Sequence, residues 1–253
     1  MRPLVHFLLG LFVFAAGATC PVHAHDSEPI NTEFAAPFTY KAGNLQFGLQ
    51  YAHNLSSYDV AAVEFEYGVW RRMQISISAP LTRADISGRT YVRPGNVELA
   101  YRYLLAGGNE RRFALSINPE VTLPVGDKRV AERAFAVGGA LHLDLHPASR
   151  LWTHLNLGYE TPVARFEEKE KIFFYRAAAM YHASERLQPV LELVGEHGFH
   201  DGKTRLAVVP EVIFSPGEHW ELKAGVPLGA TRATPDVGFQ FQLTWKFGRE
   251  GRQ

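Results

Sequence analysis

From Val237 to Phe247 the chain alternates without a break. Val237, Phe239, Phe241, Leu243, Trp245 and Phe247 are apolar, and Gly238, Gln240, Gln242, Thr244 and Lys246 between them are polar or small. Successive side chains of a strand point to opposite faces, so this segment carries one apolar and one polar face; a helix would scatter both sets around its axis. The same period runs through Leu45–Tyr51, Val63–Val69, Met73–Ala79, Val97–Tyr103, Phe113–Asn118, Leu141–His146 and Trp220–Val226. About twelve such segments fit between residues 44 and 247, each near the ~9–11 residues that a tilted strand needs to cross a bilayer.

The two faces admit two folds. A soluble sandwich or lipocalin-like barrel would turn the apolar rows inward, whereas a membrane barrel turns them outward. Three features point to the membrane version. Aromatics stand at the ends of the apolar rows (Tyr51, Tyr67, Trp70, Tyr103, Tyr159, Tyr181, Trp220, Trp245, Phe247), as in interfacial girdles. Connections alternate between short (70–72, 147–149, 184–186, 215–218) and long (83–95, 162–171, 198–203), as between the turns and outer loops of such barrels. Twelve strands also exceed what a compact soluble barrel fills with side chains. The expected fold is therefore an all-β, antiparallel, up-and-down transmembrane β-barrel. Pro80, Pro119, Pro124, Pro189, Pro210 and Pro227 lie in or near its strands. Proline cannot donate to a ladder, so strand ends or bulges are expected at these positions.

Outside residues 44–247, the N-terminus supplies the address. Arg2, an apolar run from Leu4 to Phe14 and the small-residue sequence ending Val22-His23-Ala24 form a secretory signal, with cleavage expected after Ala24. The apolar run is too short for a membrane helix, which needs ~20 residues. A lipid anchor on Cys20 would want an aliphatic residue at Gly17 and a small one at Thr19. Residues 25–43 are expected to form a periplasmic segment, and 248–253 a short tail on the same side. Loss of residues 1–24 removes the one cysteine, so neither disulfide nor thiol chemistry is expected of the mature chain. Acidic and basic residues number 26 each, and this balance argues against a nucleic-acid partner. Lipid of the outer membrane and a small-molecule solute are the partners expected.

Three segments carry a family likeness: Glu64-Phe65-Glu66-Tyr67-Gly68-Val69 running into Arg72–Ile75, Pro94-Gly95-Asn96-Val97-Glu98-Leu99-Ala100-Tyr101-Arg102-Tyr103, and Pro119-Glu120-Val121-Thr122-Leu123-Pro124-Val125-Gly126-Asp127. Together they resemble an outer-membrane family named for a putative role in the meta-pathway of phenol degradation, described as transporter-like. Asn96 departs from its pattern, in which aspartate follows the glycine. The resemblance implies a barrel that admits small, often hydrophobic or aromatic, compounds.

With the polar rows facing the lumen, the charges expected there are Glu64, Glu66, Glu98, Arg102, Glu120, Asp144, Arg176, Glu192, Glu221 and Lys223, together with His142, Glu160, Glu196, Glu211 and Lys246. Charges at membrane depth must pair or meet water. They can bind or conduct a polar solute, or pair into a plug that only holds the barrel's shape. Glu196-His197-Gly198-Phe199-His200-Asp201 gathers ligand types, but its spacing matches no zinc motif, so neither metal nor cofactor is expected. An outer-membrane hydrolase would need a serine held by His142 or His154. The sequence contains no G-x-S-x-G, and no enzymatic role is expected.

Overall fold

The computed structural model describes residues 28–248 apart from 39, 54, 56, 109–111, 132–133 and 164–170; the signal sequence lies outside the described residues. The strands are β1 (Gly43–Ala52), β2 (Ser57–Trp70), β3 (Met73–Ile86), β4 (Arg89–Pro94), β5 (Val97–Gly107), β6 (Phe113–Leu123), β7 (Ala136–Ala148), β8 (Leu151–Pro162), β9 (Ile172–Tyr181), β10 (Leu187–Gly198), β11 (Thr204–Gly217), β12 (Trp220–Gly225), β13 (Leu228–Gly229) and β14 (Gly238–Phe247). Each pairs antiparallel with its neighbour, and β1 pairs with both β2 and β14, which closes the sheet.

Two staves are interrupted. β4 continues β5 alongside β3, where Leu81–Ile86 face Pro94–Arg89 and Met73–Ser78 face Tyr103–Glu98. Likewise β13 continues β12 alongside β11. The result is a closed barrel of twelve strands, as the alternation predicts. At one end, the turn end, the connections at 71–72, 149–150 and 218–219 are tight; at the other, the loop end, 124–135 and 230–237 are long. The tip of β3–β4 turns on Ser87 and Gly88, both at positive φ (50° and 76°). Such a two-residue turn matches the twist of the hairpin, and glycine takes its second position without strain. Both ends of the barrel sequence, Gly43 and Phe247, lie opposite each other at the turn end.

The apolar rows face outward. Leu45, Phe47 and Leu49 are exposed while Asn44 just before them and Gln46 among them are buried, and Phe239 and Phe241 flank buried Gln240. A water-soluble barrel has the reverse arrangement, so lipid is the solvent this wall suits. At the turn end the outward aromatics form a band: Trp220 lies 6.4 Å from Trp245, and Trp245 lies 5.4 Å from Phe247.

Of the six prolines expected in or near strands, Pro80, Pro119, Pro189 and Pro210 stand inside them, and each directs its missing donor to a gap in the ladder. The carbonyl of Pro80 accepts from Gly95, between β4 and β5, and that of Pro210 accepts from Val226, between β12 and β13. A strand residue's N and O point to the same neighbour, so the absent N–H also meets the interruption. Opposite Pro119, the β5–β6 ladder skips from the Ala100–Glu120 pair to Tyr103–Ile117. Pro189 lies beyond the last β9 partner, Met180 opposite Val190. Pro124 and Pro227 fall just outside β6 and β12.

Candidate functional site

The lumen is occupied in part by the chain's own N-terminal segment. Residues 28–38 make no ladder, and an irregular backbone inside a barrel needs partners for its N–H groups. The wall supplies them. Phe38 N donates to Gln74 Oε1 (2.9 Å) and Ala35 N to Asp144 Oδ2 (2.8 Å). Glu33 N donates to Asn156 Oδ1, whose Nδ2 donates back to the Glu33 carbonyl, both at 2.8 Å. Asn31 N and Ile30 N donate to Glu192 and Glu211, each at 3.1 Å. The Asn31 side chain exchanges two bonds of 3.0 Å with Gln240 and donates to Glu192 Oε2 at 2.6 Å.

Arg102 fastens this segment. Its guanidinium bonds Glu28 (3.0 Å) and Glu33 of the segment and lies 3.8 Å from Glu66 of the wall. Glu66 in turn accepts from Asn44, Gln46 and Gln74. Burial would push the Glu33 carboxyl up, but Arg102, His142 and Arg176 outweigh it and hold it at about 2. The apolar anchor is Phe34, which packs with Ala178, Met180, Val190 and Ile213. Its ring stacks on His154 at 4.4 Å and meets Trp152 at 6.1 Å.

The sequence places residues 25–43 in the periplasm; of these, Glu28 to Phe38 run inside the barrel, bonded to lumen side chains, and 25–27 and 39 lie outside the described residues. With no strand period in this stretch, nothing in it announced a docked segment. The signal lay on the opposite wall, where the lumen rows of β9, β10 and β11 are interrupted by Met180, Val190 and Ile213. Apolar side chains on a wet face imply a partner, and Phe34 is that partner.

The predicted lumen charges divide by level. Glu66, Arg102, Asp144 and Glu192 are buried and hold the segment. Nearer the turn end, Glu221 accepts from Lys246 at 2.6 Å; Lys223 is buried on the same strand, opposite Ile213 and Gln242. On the loop side of the segment Glu64, Glu98 and Arg176 line a cavity of about 180 Å³, together with Glu28, Asn31, Gln46, Ser78 and Gln242. Glu120 stands opposite Ala100 and Gly138, one strand from Glu98.

The remaining motifs resolve simply. At the β10–β11 hairpin, Glu196 pairs with Arg205 (2.8 Å) and His197 with Thr204 (2.9 Å) across the two strand ends, and Asp201 with Lys203 (3.4 Å) in the connection. Among the described residues no three His, Asp or Glu side chains come together as a metal site. Ser116 lies across the ladder from His142, but among the described residues its Oγ makes no hydrogen bond, and His142 Nδ1 faces the Phe34 carbonyl at 3.4 Å. His154 is held by Asp144 (2.8 Å), and among the described residues its Nε2 has no hydrogen-bond partner. A nucleophile with a bonded base is therefore not assembled at either histidine.

Neither a protein-family description nor a curated relative matches the sequence. Solved structures do match in shape. An outer-membrane channel from Pseudomonas putida F1 shares 10% identity over 88% of this chain and 100% of that one, with a TM-score of 0.66. The NanC porin (8% identity, 82% and 100% covered, TM-score 0.59) and the KdgM porin (10%, 82% and 99%, 0.58) follow the same barrel. Likeness at this identity shows the fold.

Proposed function

We propose that this protein is an outer-membrane channel that admits small solutes through a lumen which its own segment 28–38 narrows from within. The export signal, the lipid-suited wall and the channel-like neighbours support the address and the class. The observation that carries the reading is the mode of docking. A rigid structural plug would be met by a dry, close-packed wall, whereas this segment is held mainly by polar bonds that water can replace as it leaves. Hydrophobic or aromatic solutes, which the family resemblance implies, would find carboxylates, amides and Ser78 along the loop-side cavity. A polar solute suits that lining better.

Conductance in planar bilayers tests the reading. The wild type is expected to show small or infrequent steps, and a variant lacking residues 28–38 larger and longer ones. If both are silent, and neither lets sugars or amino acids into proteoliposomes, the barrel is a closed structural element instead.

A further inference from the structure

Arg102 is bonded only to what can leave. Both hydrogen bonds of its buried guanidinium, among the described residues, run to the inner segment: Nη1 to Glu28 Oε1 (3.0 Å) and Nη2 to Glu33 Oε2. The wall gives it an ionic neighbour but no hydrogen bond, since Glu66 lies 3.8 Å away and accepts from Asn44, Gln46 and Gln74 instead. Other wall groups gather on the same residue of the segment. Asn118 Nδ2 donates to Glu33 Oε2 at 3.5 Å, His142 Nδ1 lies 3.8 Å from that oxygen, and Asn156 exchanges bonds with the Glu33 backbone. Arg102, Asn118, His142 and Asn156 come from the consecutive strands β5, β6, β7 and β8, and all four are buried. The wall thus holds a preformed centre whose occupant is a carboxylate.

A second observation shows that the present occupant fits incompletely. Arg102 Nε is buried and has no hydrogen-bond partner among the described residues. Buried donors are almost always satisfied, and guanidinium and carboxylate pair most strongly through two parallel N–H···O bonds. Glu33 is tied through its backbone to Asn156 and takes Nη2 alone. A carboxylate free of the chain can turn to take Nε and Nη2 together. We propose that the centre formed by Arg102, Asn118 and His142 binds the carboxylate of a small organic acid, and that Glu33 is its internal competitor, so that an acidic solute releases segment 28–38 and opens its own path. The proposal deepens the channel reading and rests on it for the passage of the acid, not for its binding.

Calorimetric titration of the full-length barrel in detergent tests it, with glutarate as the probe and glutaramide as its neutral counterpart. Glutarate is expected to bind at one site and glutaramide not. Glu33→Gln keeps the segment's size but weakens the competitor, so it should tighten glutarate severalfold; a merely structural Glu33 predicts no such gain. Arg102→Met should weaken glutarate by about tenfold or more through loss of charge-assisted bonds, and Glu185→Gln, on an exposed turn, should leave it unchanged. A nitroxide on Ala36→Cys, in a Cys20→Ser background, should gain mobility with glutarate but not with glutaramide or with sodium chloride at matched ionic strength. No tightening in Glu33→Gln, an equal response to glutaramide, full affinity in Arg102→Met, or binding that leaves the nitroxide immobile would each overturn the proposal. Heat-modifiable gel mobility checks that the variants fold, and if Arg102→Met does not, the comparison of Glu33→Gln with the wild type decides. Glutarate binding without conductance would reject the channel and keep this site; conductance without glutarate binding would do the reverse.

Discussion

At the scale of single residues the structure depends most on Arg102. It is 3% exposed and serves two carboxylates of the inner segment and one of the wall. Removing one member of a buried ionic network leaves the others charged and unpaired, which costs about 3–5 kcal/mol. Arg102→Met should lower the urea midpoint in detergent accordingly, and Arg102→Lys should restore only part, since an ammonium cannot span the same acceptors. Arg83→Ala is the contrast. Its pair with Asp85 is solvent-exposed (2.9 Å) and should be worth less than about 1 kcal/mol. Glu33 adds a pH signature. Its carboxyl is held at about 2 in the folded chain, below its ordinary value near ~4.3. Its contribution is therefore complete above the ordinary value and lost as pH falls from there toward about 2. A nitroxide on Ala36→Cys, in a Cys20→Ser background, should stay immobile from pH 8 to 5 and loosen only in stronger acid.

Among the elements, the interrupted strands explain how a closed barrel tolerates proline. Leu155 sits where β8 is laddered on both sides, opposite Leu143 and Ala177. Leu155→Pro should abolish the heat-modifiable form, because proline there breaks an intact ladder. Pro189→Ala should fold with a change below about 1 kcal/mol, as its missing donor already faces the end of the β9 ladder. The same contrast separates what could be read in advance from what could not. The period of two in Leu45–Tyr51 or Val237–Phe247 is a local signal, and it sufficed for the strands, their inward rows and the closed barrel. The interruptions at Gly95 and Val226 depend on what neighbouring strands do, and the course of residues 28–38 depends on side chains from most of the barrel. Neither is periodic. Phe34→Ala tests the missed element directly: the barrel should remain heat-modifiable, while residues 28–38 become open to protease and conductance rises.

For the whole molecule, the decisive property is which solvent the wall faces. Leu141 is 51% exposed near the middle of β7, between outward Gly139 and Leu143, while His142 beside it is buried in the lumen. An arginine at the bilayer midplane on a lipid-facing strand costs about 2–4 kcal/mol, and less toward the interfaces. Leu141→Arg should therefore depress folding into lipid vesicles by that amount. Ser78→Arg, on the lumen face beside the loop-side cavity, should change stability by less than about 1 kcal/mol. Were water the outer solvent, the order would invert. Replacing an exposed leucine by arginine would be neutral or solubilising, and the inward arginine would be the costly one, forced into a packed core. Equilibrium unfolding of the two variants in vesicles separates these cases without assuming any transport activity, because both residues are paired on both sides and differ in the face they occupy.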